Sequence, residues 1–324
     1  MSIFVVWLPA LGIGAASVRA AAQSVDAVVH GCVKDSTGSM LPGATITLTN
    51  VASGVVRSST ADDIGRYRLP PVPPGIYEVK VEHAGFRPQI RADQRLYVGM
   101  TATIDVTLDA VTVVSAVDVT ATSHLFETRN ALSRVVRREE IDSLPVVDRN
   151  FNGLAILAPG VTATGTYGGV DIGGSRDFQN GYNVDGASAE SLGAGEQRVR
   201  YAQDWIEEFQ VLTTQYNVEF GRASGGILNA VTRSGSNVTS GRAYAFFRNG
   251  SWDATPAFAA TKPALVSTRV GATAGGKLVR DRLFFFSGFE WFDDKTSRVV
   301  NSTFAELNGS VPAASDQKVY LVKI

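Results

Sequence analysis

The sequence predicts a mainly β protein that begins with an antiparallel β-sandwich and continues into further domains. Three observations predict this class. The chain holds 32 glycines in 324 residues and is also rich in valine and threonine, which favour turns and strands. Short runs of alternating apolar and polar residues recur between turn signals, whereas long amphipathic helical patterns are few. At this length we expect more than one domain.

The charge balance and the metal-binding residue types exclude several classes of function. The 30 Lys and Arg residues nearly balance the 31 Asp and Glu residues, so no nucleic-acid partner is predicted. His30, His83 and His124 lack the spacing of metal ligands. Cys32 is the only cysteine, which excludes an internal disulfide. We therefore predict no metal and no cofactor.

Residues 1–22 are predicted to be a signal peptide. Ile3 to Ala16 form an apolar run, and three alanines precede Gln23, where a signal peptidase would cut. A positive charge before the run is missing, and a buried N-terminal helix is the alternative. No later stretch reaches the roughly 18 apolar residues of a membrane helix, so any membrane crossing must use strands.

Residues 25–110 are predicted to form the sandwich. Alternating runs such as VVHGCVKD, ATITLTN and GIYEVKVE are separated by turn signals such as Pro42-Gly43. In the third run Tyr77, Val79 and Val81 share one face, because successive side chains of a strand point to opposite faces. We expect these three side chains to lie in the core.

Three short motifs in this region resemble those of the carboxypeptidase regulatory-like domain. They are Asp62 to Tyr67 in the pattern Asp-x-x-Gly-x-Tyr, Pro74 to Tyr77, and Gly85-Phe86. The resemblance implies an accessory sandwich with an Ig/transthyretin-like fold, and not the zinc peptidase itself. The chain has neither H-x-x-E nor H-E-x-x-H to hold a catalytic metal, so we predict that it is not an enzyme.

Residues 125–237 carry motifs that resemble the plug domain of the TonB-dependent receptors, in their Oar-like branch. The resemblance implies an α+β plug held inside a barrel. The residue pattern predicts a strand, a short helix that ends near Pro145, and a second helix that begins at Asp148. The matching residues are Leu144-Pro145, Arg149-Asn150, Pro159-Gly160-Val161, Gly174-Ser175-Arg176, Asp185-Gly186, Ile206 to Val211, Glu219-Phe220-Gly221 and Gly225-Gly226.

The glycine-rich end of this region is not a phosphate-binding loop. A phosphate loop needs Gly-Lys-Ser/Thr after four residues, whereas Ile227 follows Gly226. Glycine permits close approach of the backbone, which a compact domain inside a barrel needs at crowded turns. The resemblance implies that this segment ends the plug where it packs inside the barrel wall, and the glycines are consistent with that placement.

The same resemblance implies a partner-binding segment and ligand-facing loops. Residues 111–124 are predicted to be a linker that carries the candidate TonB box, where strand addition depends on main-chain hydrogen bonds. The candidate box consists of Val117, Asp118, Val119, Thr120, Ala121 and Thr122. The candidate ligand-facing residues of the plug loops are Tyr167, Arg176, Asp177, Tyr182 and Asp185. The implied partners are a TonB-type energising protein, outer-membrane lipid and a ligand whose class, siderophore, oligosaccharide or peptide, is left open.

Residues 238–324 are predicted to be the first few strands of an incomplete transmembrane β-barrel. In RLFFFSGFEW the side chains of Leu283, Phe285, Phe289 and Trp291 share a face that we expect to meet lipid, opposite Glu290. A sandwich core strand is the alternative, since alternation alone does not distinguish the two. The region has room for about four strands of 9 to 11 residues, against about 22 strands in a plugged barrel, so we expect a fragment.

Together these modules predict the N-terminal portion of a TonB-dependent outer-membrane receptor that is exported through the periplasm. Its mechanism would be energised uptake of a ligand across the outer membrane. The alternative is a secreted or surface β-sandwich protein that binds carbohydrate or mediates adhesion. The Asn-x-Ser/Thr sites at Asn237, Asn249, Asn301 and Asn308 would support that alternative in a eukaryote.

Overall fold

The computed structural model describes most of the chain, and β-strands dominate it. The predicted signal peptide, residues 1–22, lies outside the described residues. Within the part that is described, no helix is both long enough and apolar enough to cross a bilayer. The described residues are 25–111, 118–120, 126–127, 132–144, 146, 149–163, 169–191, 197–214, 216, 220–221, 223–255, 262, 264–300 and 309–324.

The first eight strands form a sandwich of two sheets, which we call the sandwich. They are β1 (Val28–Asp35), β2 (Thr45–Asn50), β3 (Val56–Thr60), β4 (Arg66–Arg68), β5 (Gly75–Glu82), β6 (Gln89–Leu96), β7 (Thr101–Thr103) and β8 (Val106–Leu108). In one sheet β2 lies between β3 and β5, and β6 follows, with every pair antiparallel. In the other sheet β1 pairs with β4 in antiparallel fashion but with β7 and β8 in parallel. The sandwich is therefore partly parallel, unlike the wholly antiparallel arrangement that we predicted.

The predicted core face of β5 is confirmed. Tyr77, Val79 and Val81 are at most 3% exposed, whereas the neighbouring Ile76 points outward and is 36% exposed. The Tyr77 hydroxyl donates a hydrogen bond to the carbonyl oxygen of Pro73 at 2.7 Å. The ring is buried with its one polar atom satisfied, as a buried tyrosine requires.

Two short strands lie in the segment that joins the sandwich to the next unit. Strand β9 (Asp118–Thr120) pairs in parallel with β6, and strand β10 (Phe126–Glu127) pairs in antiparallel fashion with β7. Each sheet of the sandwich therefore gains one strand from the region that follows β8, and β9 lies within the predicted linker.

A second unit, which we call the central unit, comprises the described residues of 132–232. Its main sheet has the strand order β11-β16-β17-β14-β15. Its core includes Phe151 and Phe209, whose rings meet edge to face with centroids 5.4 Å apart. Its elements are β11 (Leu132–Val136), α1 (Arg138–Ser143), β12 (Val161–Ala163), β13 (Val170–Ile172), β14 (Gly181–Val184), β15 (Ala187–Ser188), β16 (Ile206–Thr214), β17 (Ile227–Thr232) and 3-10 helices at Phe151–Leu157, Asp177–Gln179 and Gln203–Trp205.

The first predicted helix of this unit is confirmed and the second is different. Helix α1 has a capping box in which Glu140 accepts a hydrogen bond from the backbone N–H of Arg137 at 3.1 Å. The second element is a 3-10 helix capped by Asn150, and Asp148 lies outside the described residues. Its sequence, FNGLAIL, contains Gly153, and glycine disfavours a regular α-helix.

The last four strands form one antiparallel sheet, which we call the wall sheet. They are β18 (Ser240–Asn249), β19 (Leu265–Val279), β20 (Leu283–Val300) and β21 (Gly309–Lys323), with a 3-10 helix at Gly250–Trp252. Consecutive strands pair throughout, and among the described residues the sheet is open, with β18 and β21 at its edges.

The alternation predicted for β20 is confirmed. Glu290 is fully buried on the face toward the central unit, and Phe286 and Phe292 on the same face are each 2% exposed. Leu283 on the opposite face is 41% exposed. The outward Phe289 ring packs against Tyr320 of β21 with centroids 5.1 Å apart. An aromatic outer face backed by a polar and aromatic inner face is typical of a membrane wall strand.

Candidate functional site

The inner face of the wall sheet meets the central unit through charged side chains. Arg242 of β18 lies 3.0 Å from the Oδ1 atom of Asp204 and 3.1 Å from a carboxylate oxygen of Asp142 in helix α1. Asp204 also pairs with Arg149 of the central unit, and Asp142 pairs with Arg138 at 2.7 Å. Two carboxylates of the central unit are thus shared between its own arginines and one wall arginine.

Aromatic rings of the wall extend this contact. The Arg149 guanidinium lies over the ring of Phe246, 3.9 Å from its centroid. Arg200 of the central unit lies 4.8 Å from the centroid of Phe292. The Tyr244 hydroxyl, also on the wall, donates a hydrogen bond of 2.8 Å to the buried Glu290. The interface is therefore built from ion pairs and cation–π contacts, and the hydrogen bond within the wall sheet satisfies the buried Glu290 beside them.

Glycines allow the backbone to approach closely in both units. A Cβ atom on Gly226 would overlap the side chain of Ile172 within the central unit. A Cβ on Gly235 would overlap the backbone oxygens of Gly276 and Phe285 in the wall sheet. These two positions lie in the glycine-rich segment of the sequence, and they confirm the prediction that it serves close packing, including against the wall.

An apolar contact also joins the two units. Trp205 is 1% exposed and forms a buried cluster with Phe286 of the wall sheet, against which Val319 and Leu321 of the same sheet pack. A Cβ on Gly288 would overlap the indole ring of Trp205. Gly288 therefore provides the space that the largest buried side chain of the central unit occupies.

The sandwich contacts the central unit through the turn after β6. The backbone N–H of Val98 donates a hydrogen bond to the carboxylate of Glu208 in β16. Arg95, at the end of β6, forms an ion pair of 3.0 Å with Glu139 of helix α1. Burial raises the pKa of Glu208 to about 7, while the hydrogen bond from Val98 acts in the opposite direction.

One asparagine joins the sandwich to the wall sheet. The side-chain nitrogen of Asn237 donates hydrogen bonds to the carbonyl oxygen of Ser53 at 2.8 Å and to Asp281 at 2.7 Å. Its backbone N–H donates to the carbonyl oxygen of Ala52 at 3.1 Å. Asp281 lies in the short turn between β19 and β20. The sandwich therefore lies at the short-turn end of the wall.

The structure describes part of the candidate TonB box. Asp118, Val119 and Thr120 form β9, with Val119 opposite Ile90 of β6. Val117, Ala121 and Thr122 lie outside the described residues. The extended conformation that we predicted is present in the described part, although it was expected in a linker and instead pairs with the sandwich.

The candidate ligand-facing residues are not brought together. Arg176 is exposed, with its guanidinium 5.9 Å from the ring centroid of the exposed Phe178. Asp177 begins the adjacent 3-10 turn, and Tyr167 lies outside the described residues. Ligand contact at this turn stays a prediction.

Of the other two candidates, Tyr182 is placed differently from the prediction, whereas Asp185 lies in a turn, as predicted. Tyr182 lies in strand β14 and not in a loop, and its side chain is 3% exposed in the core of the central unit. Asp185 lies in the exposed turn between β14 and β15, where its Oδ1 atom accepts hydrogen bonds from the backbone N–H of Thr232 at 2.9 Å and from Lys323 at 3.1 Å. Tyr182 therefore has a structural role in the core, and ligand contact at Asp185 stays a prediction.

Sequence reasoning did not single out Asp204, Arg242 or Glu208. Each is an ordinary charged residue in its local sequence, without a motif around it that indicates its partner. No group of three or more histidine, cysteine or acidic residues that could hold a metal occurs within the described ranges. The feature that the structure adds is a charged interface between units.

Comparison with known proteins agrees with this architecture. Residues 28–109 match the carboxypeptidase regulatory-like domain family, and residues 231–321 match the outer membrane beta barrel domain family. The chain is 30% identical over 288 residues to the TonB-dependent transporter Oar of Myxococcus xanthus, an alignment that covers 83% of this chain and 27% of that protein. The chain thus spans about a quarter of the length of that curated relative.

Solved structures of outer-membrane proteins are also similar to this chain. The outer membrane transporter YddB from Escherichia coli has a TM-score of 0.45 and 16% identity, covering 60% of this chain and 32% of that one. The siderophore receptor PirA from Pseudomonas aeruginosa has a TM-score of 0.39 and 19% identity, covering 54% of this chain and 32% of that one.

These matches confirm the predicted resemblance and the predicted outer-membrane localisation. The curated relative is a transporter, in agreement with the prediction that this chain is not an enzyme. A secreted adhesion or carbohydrate-binding sandwich, the alternative that we considered, would not account for the barrel match at residues 231–321.

Proposed function

We propose that this chain, which carries the N-terminal modules of the TonB-dependent outer-membrane receptors, works in energised uptake of a ligand across the outer membrane. In this proposal the units are a signal peptide at 1–22, the sandwich at 25–110, a linker with the box at 111–124, a plug at 125–237 and the start of the barrel at 238–324. The observation that carries the proposal is the packing of the central unit against the inner face of a wall sheet through the pair Arg242–Asp204.

The chemistry of that interface suits a plug that must move. Ion pairs and hydrogen bonds can be replaced by water when two surfaces separate, whereas a wholly apolar contact would expose its surface to water at a cost in free energy. The contacts of Arg242 with Asp204 and Asp142 are of the exchangeable kind. Apolar contact is concentrated around Trp205. We expect the central unit to shift by releasing the charged contacts first.

An exposed turn of the central unit suits contact with more than one class of ligand. Arg176 and Phe178 offer an exposed cation and an exposed ring on the turn that follows β13. A siderophore, an oligosaccharide or a peptide could each use such a pair, through charge, stacking or both. We assign the turn as the ligand side of the plug and leave the class to experiment.

The proposal is tested by binding of the energising partner. The full chain and its Val119→Pro and Val119→Thr variants are compared for capture of the C-terminal domain of the TonB-type protein from the same organism. Proline removes the backbone N–H that strand addition needs, so we expect Val119→Pro to lose capture. Threonine keeps the N–H and a high strand propensity, so Val119→Thr serves as the matched control and should retain it.

Capture that is unchanged by Val119→Pro would contradict the box assignment. Absence of capture by the unsubstituted chain would contradict the proposed partner altogether. A far-ultraviolet circular dichroism spectrum of each variant excludes loss of folding as the cause.

A further inference from the structure

The sandwich contacts the rest of the protein at two separate places. On one side the turn between β2 and β3 meets Asn237, which precedes the wall sheet. On the other side the end of β6 and the turn after it meet helix α1 and strand β16 of the central unit. The sandwich therefore bridges the wall sheet and the central unit, in addition to the direct contact between those two.

The contact on the wall side joins two turns whose shapes fit closely. The side-chain nitrogen of Asn237 donates to the carbonyl oxygen of Ser53 and to Asp281, and its oxygen accepts the backbone N–H of Asp281 at 3.1 Å. A Cβ atom on Gly54 would lie 2.5 Å from the Oδ1 atom of Asp281. The sandwich turn is itself organised by Asn50, whose side-chain oxygen accepts hydrogen bonds from two backbone N–H groups of the turn. Both polar atoms of the Asn237 side chain are thus satisfied.

The segment that carries Asn237 is fixed to the wall sheet. A Cβ atom on Gly235 would come within 2.4 Å of the backbone oxygens of Gly276 and Phe285. A Cβ atom on Gly276 would lie 2.8 Å from the hydroxyl oxygen of Thr239. Because residues on both sides of Asn237 pack closely on the wall sheet, we expect Asn237 to stay with the wall when the central unit moves.

The contact with the central unit is easier to open. Arg95 and Glu139 form an ion pair in which the side chains are 38% and 63% exposed, and such exposed pairs add little stability. The hydrogen bond from Val98 ends on the buried carboxylate of Glu208, and burial of a carboxylate has a desolvation cost that opening relieves. Water can replace both partners after separation. We therefore expect the sandwich to separate from the central unit before it separates from the wall.

We propose that the sandwich is an intramolecular clamp, which stays on the wall sheet through Asn237 and restrains the central unit through Arg95 and Val98. The central unit then leaves the wall only when it also leaves the sandwich. The clamp would regulate uptake by setting how readily the central unit separates from the wall. The inference rests on the proposed function in one respect, because it takes the central unit to be the part that moves.

A clamp makes the effects of its two ends depend on each other. With Asn237 intact the ion pair between Arg95 and Glu139 must break when the central unit separates, so Arg95→Ala should make separation easier. With Asn237→Ala the sandwich can follow the central unit, so the ion pair persists and Arg95→Ala should have no further effect. Independent contacts would instead contribute additively to the free energy of separation, so their effects on a rate would multiply.

Labelling of a buried thiol measures the separation. Ala202 is fully buried in the cluster that it forms with Trp205 and with Phe286 of the wall sheet. The full chain carries Ala202→Cys in a Cys32→Ser background, so that one thiol reacts with N-ethylmaleimide. Mass spectrometry of the detergent-solubilised chain follows the reaction. When opening and closing are fast relative to labelling, the labelling rate follows the population of the open form.

We expect Asn237→Ala to raise the labelling rate about fivefold or more, because it removes three side-chain hydrogen bonds. Arg95→Ala alone should raise the rate about twofold to fivefold. The double variant should label at the rate of Asn237→Ala. A rate for the double variant that equals the product of the two single effects would overturn the inference, as would unchanged labelling in Asn237→Ala.

Two matched controls separate a clamp from a general loss of stability. Asn249→Ala removes an asparagine that caps a turn at the opposite end of β18, and Arg68→Ala removes an exposed arginine of β4. Both should leave the labelling rate close to that of the unsubstituted chain. Thr273→Cys, at a buried position of β19, is a second reporter that must give the same pattern. A far-ultraviolet circular dichroism spectrum checks that each variant is folded.

The labelling experiment contains no energising partner, so its result is separate from the capture test of the proposed function. Absence of capture together with the expected labelling pattern would remove the proposed function and leave the clamp as a property of the fold. Capture together with effects that multiply would leave the proposed function and overturn the clamp alone.

Discussion

Arg242 of the wall sheet and Asp204 of the central unit form an ion pair of 3.0 Å in which the two partners differ sharply in burial. The Asp204 side chain is 1% exposed, whereas that of Arg242 is 45% exposed. Asp204 also binds Arg149, whose side chain is 17% exposed. The buried carboxylate is therefore the centre of the contact, and the wall arginine reaches it from the solvent side.

This difference predicts unequal effects of removing the two partners. Asp204→Asn leaves Arg149 and Arg242 without this carboxylate and should lower the free energy of unfolding by about 3–5 kcal/mol. Arg242→Ala removes a half-exposed charge and leaves Asp204 paired with Arg149, so the loss should be about 1 kcal/mol or less. Urea unfolding of the detergent-solubilised chain measures both. A larger effect for Arg242→Ala would show that the wall, and not the buried acid, holds the interface.

Glu208 predicts a pH dependence of the contact between the sandwich and the central unit. Burial raises its pKa from 4.5 to about 7, against the hydrogen bond from Val98, and Glu207 adds to the rise while Arg95 opposes it. A raised pKa means that the folded state favours the protonated form. The stabilising contribution of Glu208 to the folded state is therefore fully present below pH 4.5 and is lost as the pH rises through 7. Across this pH range the free energy of unfolding would fall by up to about 3 kcal/mol.

Glu208→Gln keeps a hydrogen-bond acceptor for Val98 but removes the titration. We expect its urea midpoint to change less between about pH 5 and pH 8 than that of the unsubstituted chain, and to be higher at pH 8. Glu207→Gln removes the charge that adds to the rise of the Glu208 pKa, so it should weaken the pH dependence without abolishing it. Equal pH slopes for the unsubstituted chain and Glu208→Gln would contradict the assignment.

Gly288 predicts a steric effect at the apolar part of the interface. Alanine at this position would overlap the indole ring of the buried Trp205, and overpacking of this kind costs about 1–3 kcal/mol. Gly309 lies in the same sheet, and a Cβ atom there would meet no other atom within 4 Å, so Gly309→Ala is the control and should change little. Thermal unfolding compares the two. Similar midpoints would show that Trp205 does not pack against β20.

Tyr77 predicts how much one buried ring stabilises the sandwich. Tyr77→Ala should cost about 3–5 kcal/mol, because it removes a large core side chain. Tyr77→Phe should cost about 1 kcal/mol, because it removes only the hydrogen bond to Pro73. Ile76→Ala, on the exposed face of the same strand, is the control. The urea unfolding transition of the sandwich provides the measurement, and an unchanged transition in Tyr77→Ala would contradict the core position.

Local patterns in the sequence were enough to determine the strands and their faces. Tyr77 and Val79 in the sandwich and Phe289 and Glu290 in the wall lie on the faces that alternation predicts. This works because the side-chain direction in a strand has a period of two, so the order of neighbouring residues decides which face each one joins. The close-packing role of the glycines at 226 and 235 was also predictable, since only glycine permits such close backbone approach.

Contacts between residues far apart in the sequence became visible in the folded structure alone. Val98 and Glu208 are 110 positions apart, and nothing in the sequence around either one identifies the other. The pairing of β9 with β6 is made by main-chain groups that every residue carries, so it leaves no side-chain signal in the predicted linker. Tyr182 was placed in a loop because turn residues lie near it, but long-range pairing of β14 with β17 puts it in the core.

The strands and the faces of their side chains follow from local sequence, because they depend on neighbours along the chain. The contacts between the sandwich, the central unit and the wall sheet depend on the tertiary fold. An ion pair or a main-chain strand pairing needs only two suitable groups that the fold brings together, and the sequence around one group does not identify the other.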